Sequence, residues 1–248
     1  MPGSAGEKLA ALATVAFIVL VLPVQMLMHR FSRVGNTPFF HRSQFPWAGS
    51  VEAGWREVRA ELDHVLRYVD DIPNFQDLSE ENRALSDDDR WKTFFFRAWG
   101  IPIASNCARC PRTAALLDRI PGVTSAFFSI MLPRKYLPPH RGPYAGVLRY
   151  HLGLIVPDPE ACRIRVGNEI GHWREGESLI FDDTFEHEVW NDTDKVRVVL
   201  FVDMVRPLPA LLAALNRLII RVIARSALVR PGLEKFQAWD ERLRRVWH

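Results

Sequence analysis

Seven short runs rich in β-branched and aromatic residues, strung between positions 92 and 203, most constrain what this chain can fold into. They cover residues 92–98, 125–132, 147–156, 162–166, 178–181, 188–190 and 196–203, parted by Gly, Pro and Asp turns. Many short strands at such spacing predict a β-sandwich or jelly roll. The single helix expected among them is 111–120, with Pro111 at its start, where a missing N–H costs nothing. The fold class is therefore mainly β: a jelly roll at 91–207 with flanking helices.

The flanks read differently. Residues 9–28, LAALATVAFIVLVLPVQMLM, carry no charge and one amide, Gln25. A helix rising about 1.5 Å per residue over this length can cross a hydrocarbon core of about 30 Å, and Pro23 is tolerable there. Lys8 precedes the run, whereas His29, Arg30 and Arg33 follow it. The positive-inside rule then puts the rest of the chain on the cytoplasmic side of a single-pass anchor at 1–30. A cleaved signal peptide is the alternative, but the run is too long and no small-x-small site follows. Three cysteines, Cys107, Cys110 and Cys162, make no disulfide framework and fit a reducing compartment.

Residues 31–90 predict a polar linker at 31–47, an amphipathic helix at 51–68 and an acidic irregular stretch at 70–89. Val51, Trp55, Val58, Leu62, Val65 and Leu66 share one face of that helix. In 208–248, eight basic residues against three acidic leave +5, so a chain of net charge +3 holds its basic excess there. Such a tail meets nucleic acid or an anionic membrane. Its Leu, Ile and Ala content favours membrane, and no nucleic-acid partner is expected. Arg217, Arg221 and Arg225 line one helical face, which suits a bilayer interface or, equally, a solvated face of a packed helix. Trp239 and Trp247 also suit an interface.

Chemistry-bearing residues fall in three runs, HRGPYAGVLRYHLG from His140, FDDTFEHEVWN from Phe181 and KVRVVLFVD from Lys195. Distant strands of a jelly roll bring such residues to one barrel mouth. Two imidazoles from separate strands can hold a first-row metal, and buried arginines grip carboxylates. A metal beside a dicarboxylate clamp is what 2-oxoglutarate chemistry needs. Taken singly, a strand histidine is more often structural and an arginine before an apolar strand a surface residue. Their grouping raises the functional reading.

The segments HRGPYAGVLRYHLGLIVP, WREGESLIFDDTFEHEVWN and VRVVLFVDMVRP resemble the aspartyl/asparaginyl β-hydroxylase family, which includes a peptidyl hydroxylase and bacterial lipid hydroxylases. The resemblance spans roughly residues 91–207. It implies a double-stranded β-helix and an iron(II)- and 2-oxoglutarate-dependent dioxygenase that uses O2 to hydroxylate an unactivated carbon. It implies His140 and His187 as iron ligands, and Arg197 with Ser129 at the distal carboxylate of 2-oxoglutarate. It places Arg149 and His151 near the metal-proximal end, and Trp91 as a further cosubstrate contact. Many such oxygenases carry a third, acidic ligand two residues after the first histidine; Gly142 stands there, as in the peptidyl branch, whereas the lipid A branch has aspartate. A halide in that gap is a minor alternative.

Asp182 and Asp183 are expected either to support the ligands or to be solvated turn carboxylates. Cys107 and Cys110 are expected to be structural thiols, and His172 an exposed turn residue. Three functions remain open: an acyl-chain hydroxylase of a membrane lipid (lipid A or an aminolipid), favoured by the anchor and tail; a peptidyl Asp/Asn β-hydroxylase, favoured by Gly142; and a non-catalytic binding module, disfavoured by the intact ligand set.

Overall fold

The structure, a computed structural model, describes residues 22–77, 85–225 and 230–247. Two antiparallel sheets form the centre. The larger has seven strands in the order β1-β9-β6-β11-β4-β2-β3: β1 Phe39–Phe40, β9 Ser178–Phe181, β6 Val147–Ile155, β11 Arg197–Val205, β4 Val123–Met131, β2 Trp91–Ala98 and β3 Ile101–Pro102. The smaller has four, β5-β10-β7-β8: β5 Tyr136–His140, β10 His187–Asn191, β7 Cys162–Val166 and β8 Glu169–His172.

Strand alternation splits the core. Phe127, Met131, Val199, Phe201 and Phe181 point from the large sheet towards Leu137, Ile164, Val166 and Val189 of the small one. Their sequence neighbours, such as Phe128, Ile130, Leu200 and Val202, point outwards and are covered by helices. The cover comprises α1 Ala48–Glu52, α2 Trp55–Val65, α3 Ala104–Arg109, α4 Pro111–Leu117 and the C-terminal α6 Arg230–Val246. Between the last strand and α6 runs α5 Ala210–Arg225.

All seven expected strands are present, with ends shifted by a few residues. Four strands were not anticipated: the two-residue β1 and β3, the short β8, and β5, which the sequence concealed because Pro138 and Pro139 lie inside it. Strand β5 sits at the edge of the small sheet, where a missing N–H faces no partner. The helix expected at 51–68 is broken at Ala53–Gly54 into α1 and α2 and ends in 3-10 turns at Leu66–Asp71. A Cβ on Gly54 would lie 2.7 Å from Leu116, so the break lets α4 pack closely.

Two expectations are corrected. Residues 31–47 are no loose linker: β1 extends the large sheet against β9, and Phe40 and Phe45 are buried. Trp247 does not face a membrane interface. It stacks on Tyr68 and Phe94, with ring centroids 4.7 and 6.3 Å away, and lies beside Arg109, which is paired to Asp240 of α6. Helix α6 is thus a lid on the outer core.

Residues 9–21 of the apolar N-terminal run lie outside the described residues, and no helix among the described residues is long and apolar enough to cross a membrane. The end of the run is visible, and it is docked. Residues 22–30 are helical, Met28 is fully buried beside Tyr144, Leu208 and Ile220, and Gln25 Oε1 accepts a 2.9 Å hydrogen bond from Ala145 N–H.

Gly153 marks the tightest approach of backbone to the large sheet. A Cβ there would fall 2.1 Å from the Arg174 carbonyl oxygen, a main-chain atom that Gly176 N–H bonding to Gly153 holds close. Gly153→Ala should therefore cost about 3 kcal/mol or more. Urea unfolding checks this, and an unchanged midpoint would show that the 174–176 turn can move aside.

Candidate metal and anion site

The two histidines singled out by the sequence face each other. His140 ends edge strand β5, His187 begins β10, and they are direct partners in the antiparallel register. Their ring centroids are 4.0 Å apart. A register shift between His187 and Val189 adjoins the pair, the kind of irregularity that re-aims side chains at a rim. Each ring is locked in the same way: His140 Nδ1 lies 2.7 Å from Pro138 O and His187 Nδ1 3.0 Å from Phe185 O. A carbonyl only accepts, so both Nδ1 atoms carry the proton and both Nε2 lone pairs are left for a shared electrophile.

Burial keeps these rings neutral. It is the largest influence pushing His187 down to about 2, helped by His140 and Arg149, and it also lowers His140. Neutral imidazoles are what a metal ion requires. Among the described residues no group of three or more His, Cys, Asp or Glu side chains converges as a ligand set. Gly142 explains why a third ligand cannot come from that position: a Cβ there would lie 2.0 Å from Asp183 Oδ2. Asp183 fills the space instead, and Gly142 N–H donates to its carbonyl.

Deeper in the barrel lies the anion-seeking part. The Arg197 guanidinium is 2% exposed, and its Nε and Nη1 have no hydrogen-bond partner. It lies flat on Trp173, 4.3 Å from the ring, and burial lowers its pKa to about 10, so it is still charged at neutral pH. A buried cation without a counter-ion is costly, and a bidentate carboxylate is the usual remedy. The unpaired groups cluster there: Trp173 Nε1, both nitrogens of His151 and Thr93 Oγ1 are also buried and unpartnered. Ser129 faces Thr93 and Val199 across β4 and accepts a 3.0 Å bond from Trp91 Nε1. Thus Trp91, Ser129, Arg197 and His151 all line the same interior.

Arg149 lies at the histidine end of the barrel. Its guanidinium bridges Asp183 at 2.8 Å and Asp203 at 3.0 Å and packs over Phe201 at 4.3 Å. It holds the carboxylates near the histidine pair and lowers the proton affinity of both rings. Asp182 and Asp183 are not solvated: both are buried, and Asp182 forms a fully buried ion pair with Arg206, which also donates to Ala145 O at 2.6 Å. Asp183 Oδ1 has no partner, and burial raises this carboxyl to about 6.

Sequence reading missed Trp173, Asp203 and the Arg206–Asp182 pair. For Asp203 a signal existed: it sits six residues after Arg197, on the same inward face of β11. His172 proves half-buried, with Nδ1 2.8 Å from Pro159 O. Burial raises the Cys107 and Cys110 thiols, so neither is a ready thiolate, in keeping with structural roles.

The histidines set a sign for pH dependence. His140, His187 and His151 titrate lower in the fold than unfolded, burial being the first cause in each. Between its folded pKa and about 6.5 the unfolded chain binds the extra proton, so stability falls as pH drops below about 6.5. Asp183, raised to about 6, opposes this at mildly acidic pH. The metal-free protein should lose thermal midpoint from pH 7 to pH 5, and His151→Phe should make the loss shallower. A parallel pH curve for that variant would contradict the assignment.

Two antiparallel sheets thus bring a pair of neutral imidazoles to the barrel mouth and, to its interior, a buried guanidinium with two unbonded nitrogens. Residues 52–207 match the Aspartyl/Asparaginyl beta-hydroxylase family, and the chain belongs to it. It is 44% identical over 227 residues to the ornithine lipid ester-linked acyl 2-hydroxylase of Rhizobium tropici, covering 91% of this chain and 81% of that one. It is 37% identical over 163 residues to the human aspartyl/asparaginyl beta-hydroxylase, covering 64% of this chain and about a fifth (21%) of that much longer protein. A Cupin 2 conserved barrel domain protein from Salinispora arenicola overlaps 54% of this chain and 87% of its own at 10% identity and TM-score 0.32, too slight a likeness to carry weight.

Proposed function

We propose that this chain is an iron(II)- and 2-oxoglutarate-dependent dioxygenase that hydroxylates the acyl chain of a membrane lipid, an aminolipid such as an ornithine lipid or else lipid A. The single observation that carries the cofactor reading is the juxtaposition of two oriented Nε2 lone pairs with a buried guanidinium that has no counter-ion and whose Nε and Nη1 have no hydrogen-bond partner, Nη2 donating only to Met131 Sδ. His140 and His187 would hold iron(II). Arg197 with Ser129 would hold the far carboxylate of 2-oxoglutarate, and His151, Trp91 and Arg149 would border it. Bound together with O2, these groups supply the oxidising power to convert an unactivated C–H to C–OH, with succinate and CO2 as coproducts.

The protein's own contribution is geometric and electrostatic. Backbone carbonyls fix both imidazole tautomers, and Arg149 keeps Asp183 and Asp203 in place beside them. Phe181, Phe201 and Trp173 exclude water around His151. Gly142 leaves the ligand set at two side chains.

The lipid substrate is supported by the higher identity and the near-complete coverage of the acyl 2-hydroxylase, against a partial match to the peptidyl enzyme. The apolar run at 9–28 supports a membrane anchor with the barrel on the cytoplasmic side, where iron(II) and 2-oxoglutarate are at hand. A peptidyl Asp/Asn β-hydroxylase is the second reading, favoured by Gly142 and by the human relative. Mass spectrometry of lipids from cells with and without the gene tests the choice. One lipid class should lose the mass of one oxygen atom when the gene is deleted. An unchanged lipidome together with a hydroxylated peptide would overturn the lipid reading.

A further inference from the structure

Helix α5 presents two apolar faces, and the fold uses only one. Ile220, with Leu212, Ala213 and Ile219, packs into the cluster around Met28 and Tyr144, and the Asn216 amide is buried there. On the opposite side Leu211, Leu215, Leu218 and Val222 follow one another at helical spacing and are 86%, 38%, 56% and 52% exposed. The neighbouring helix at 22–30 packs into the same cluster through Val24 and Met28 and adds Leu22 and Met26 to the exposed apolar area, Met26 at 72%. Leucines so exposed, in a row and beside a second apolar helix, mark a surface that meets a partner.

We infer that this double-helix face rests on the surface of an anionic phospholipid bilayer. Charge selects the occupant. Helix α5 contains no acidic residue, and Arg217, Arg221 and Arg225 run along one edge of the leucine row. None of the three makes an ion pair with a described residue. Two copies of this chain meeting through the face would bring two arginine rows together without an acid to relieve them. Anionic headgroups relieve them, and the acyl boundary receives the leucines. Chain connectivity agrees: the uncharged residues 9–21 lead directly into Leu22, an exposed apolar residue of the helix that packs beside α5.

The face is wired to the site. Tyr144 Oη lies 2.7 Å from Asn216 Oδ1, Asn216 Nδ2 donates to Gly146 O at 2.7 Å, and Gln25 accepts from Ala145 N–H. The loop that follows His140 is therefore clamped between the two helices. A bilayer beneath them would set the orientation of the barrel mouth to lipid. The inference deepens the membrane attachment in the proposed function and does not depend on which substrate is hydroxylated.

The test uses the full chain in vesicles of phosphatidylcholine and phosphatidylglycerol containing a diazirine phospholipid, with adducts mapped by mass spectrometry. Adducts are expected on Met26 and along the Leu211–Leu215–Leu218–Val222 row. In the Leu211→Glu/Leu218→Glu variant, whose changes lie on exposed positions, labelling of that row should fall about tenfold with the thermal midpoint unchanged. Adducts confined to residues before Leu22 would overturn the inference, as would cross-links joining α5 of one chain to α5 of another. Activity is not read, so failure here leaves the oxygenase reading standing.

Discussion

Replacing His187 by alanine is expected to abolish iron(II) binding and turnover while leaving the barrel folded. In the proposed two-histidine site each ring would supply half of the side-chain ligation, and no neighbouring carboxylate would substitute. Asp183 is held by Arg149 at 2.8 Å and packed against Gly142. Metal affinity should fall by at least about 100-fold, the loss already seen when mere supporting groups of metal sites are removed. His187 is also a neutral ring buried at a cost, so its removal should not unfold the protein. The check pairs iron(II) binding by calorimetry with thermal denaturation. Retained affinity with lost activity would place the metal elsewhere. His140→Ala should behave alike, because the two rings are register partners with the same carbonyl lock two residues upstream.

Arg197→Met is expected to split the two halves of the site. Methionine roughly fills the volume of the guanidinium and can lie on Trp173 without an uncompensated charge. The cofactor-free variant should therefore match or exceed the parent in stability, because a buried unpaired cation is destabilising. The concentration of 2-oxoglutarate needed for half-saturation should rise by about 30-fold to 160-fold, the worth of a lost charge-assisted bidentate pair at about 2–3 kcal/mol. Iron(II) affinity should barely change. Stabilisation by added 2-oxoglutarate, clear in the parent, should vanish at the same concentration. Equal loss of iron and cosubstrate binding would contradict the division of labour proposed for the barrel.

The legibility of this chain was uneven for physical reasons. Strand alternation made β6 and β11 plain, since Arg149, His151, Arg197 and Asp203 fall at even spacing between apolar residues of the other face. The histidines stood out by type, although β5, which carries His140, was hidden by two prolines that only an edge strand tolerates. Pairing is a long-range property, so nothing local announced that Arg149 would serve two aspartates or that Arg206 would bury against Asp182. Trp173 was legible only as a residue beside a turn, and its use as a platform for Arg197 depends on how the 174–177 segment crosses Gly153. Trp247 shows the converse. An aromatic near a basic terminus reads as interfacial, yet His64, Tyr68 and Phe94 form a ready socket for it.

The most direct test of the site is an anaerobic titration of the purified chain with iron(II) and then 2-oxoglutarate, followed by visible absorption. Chelation of a 2-oxo acid to iron(II) gives a charge-transfer band. It should appear at one equivalent of each in the parent, be absent in His187→Ala, and need far more 2-oxoglutarate in Arg197→Met. Iron(II) that binds with no response to 2-oxoglutarate, or a band that survives loss of either histidine, would contradict a shared metal and keto-diacid site in this barrel.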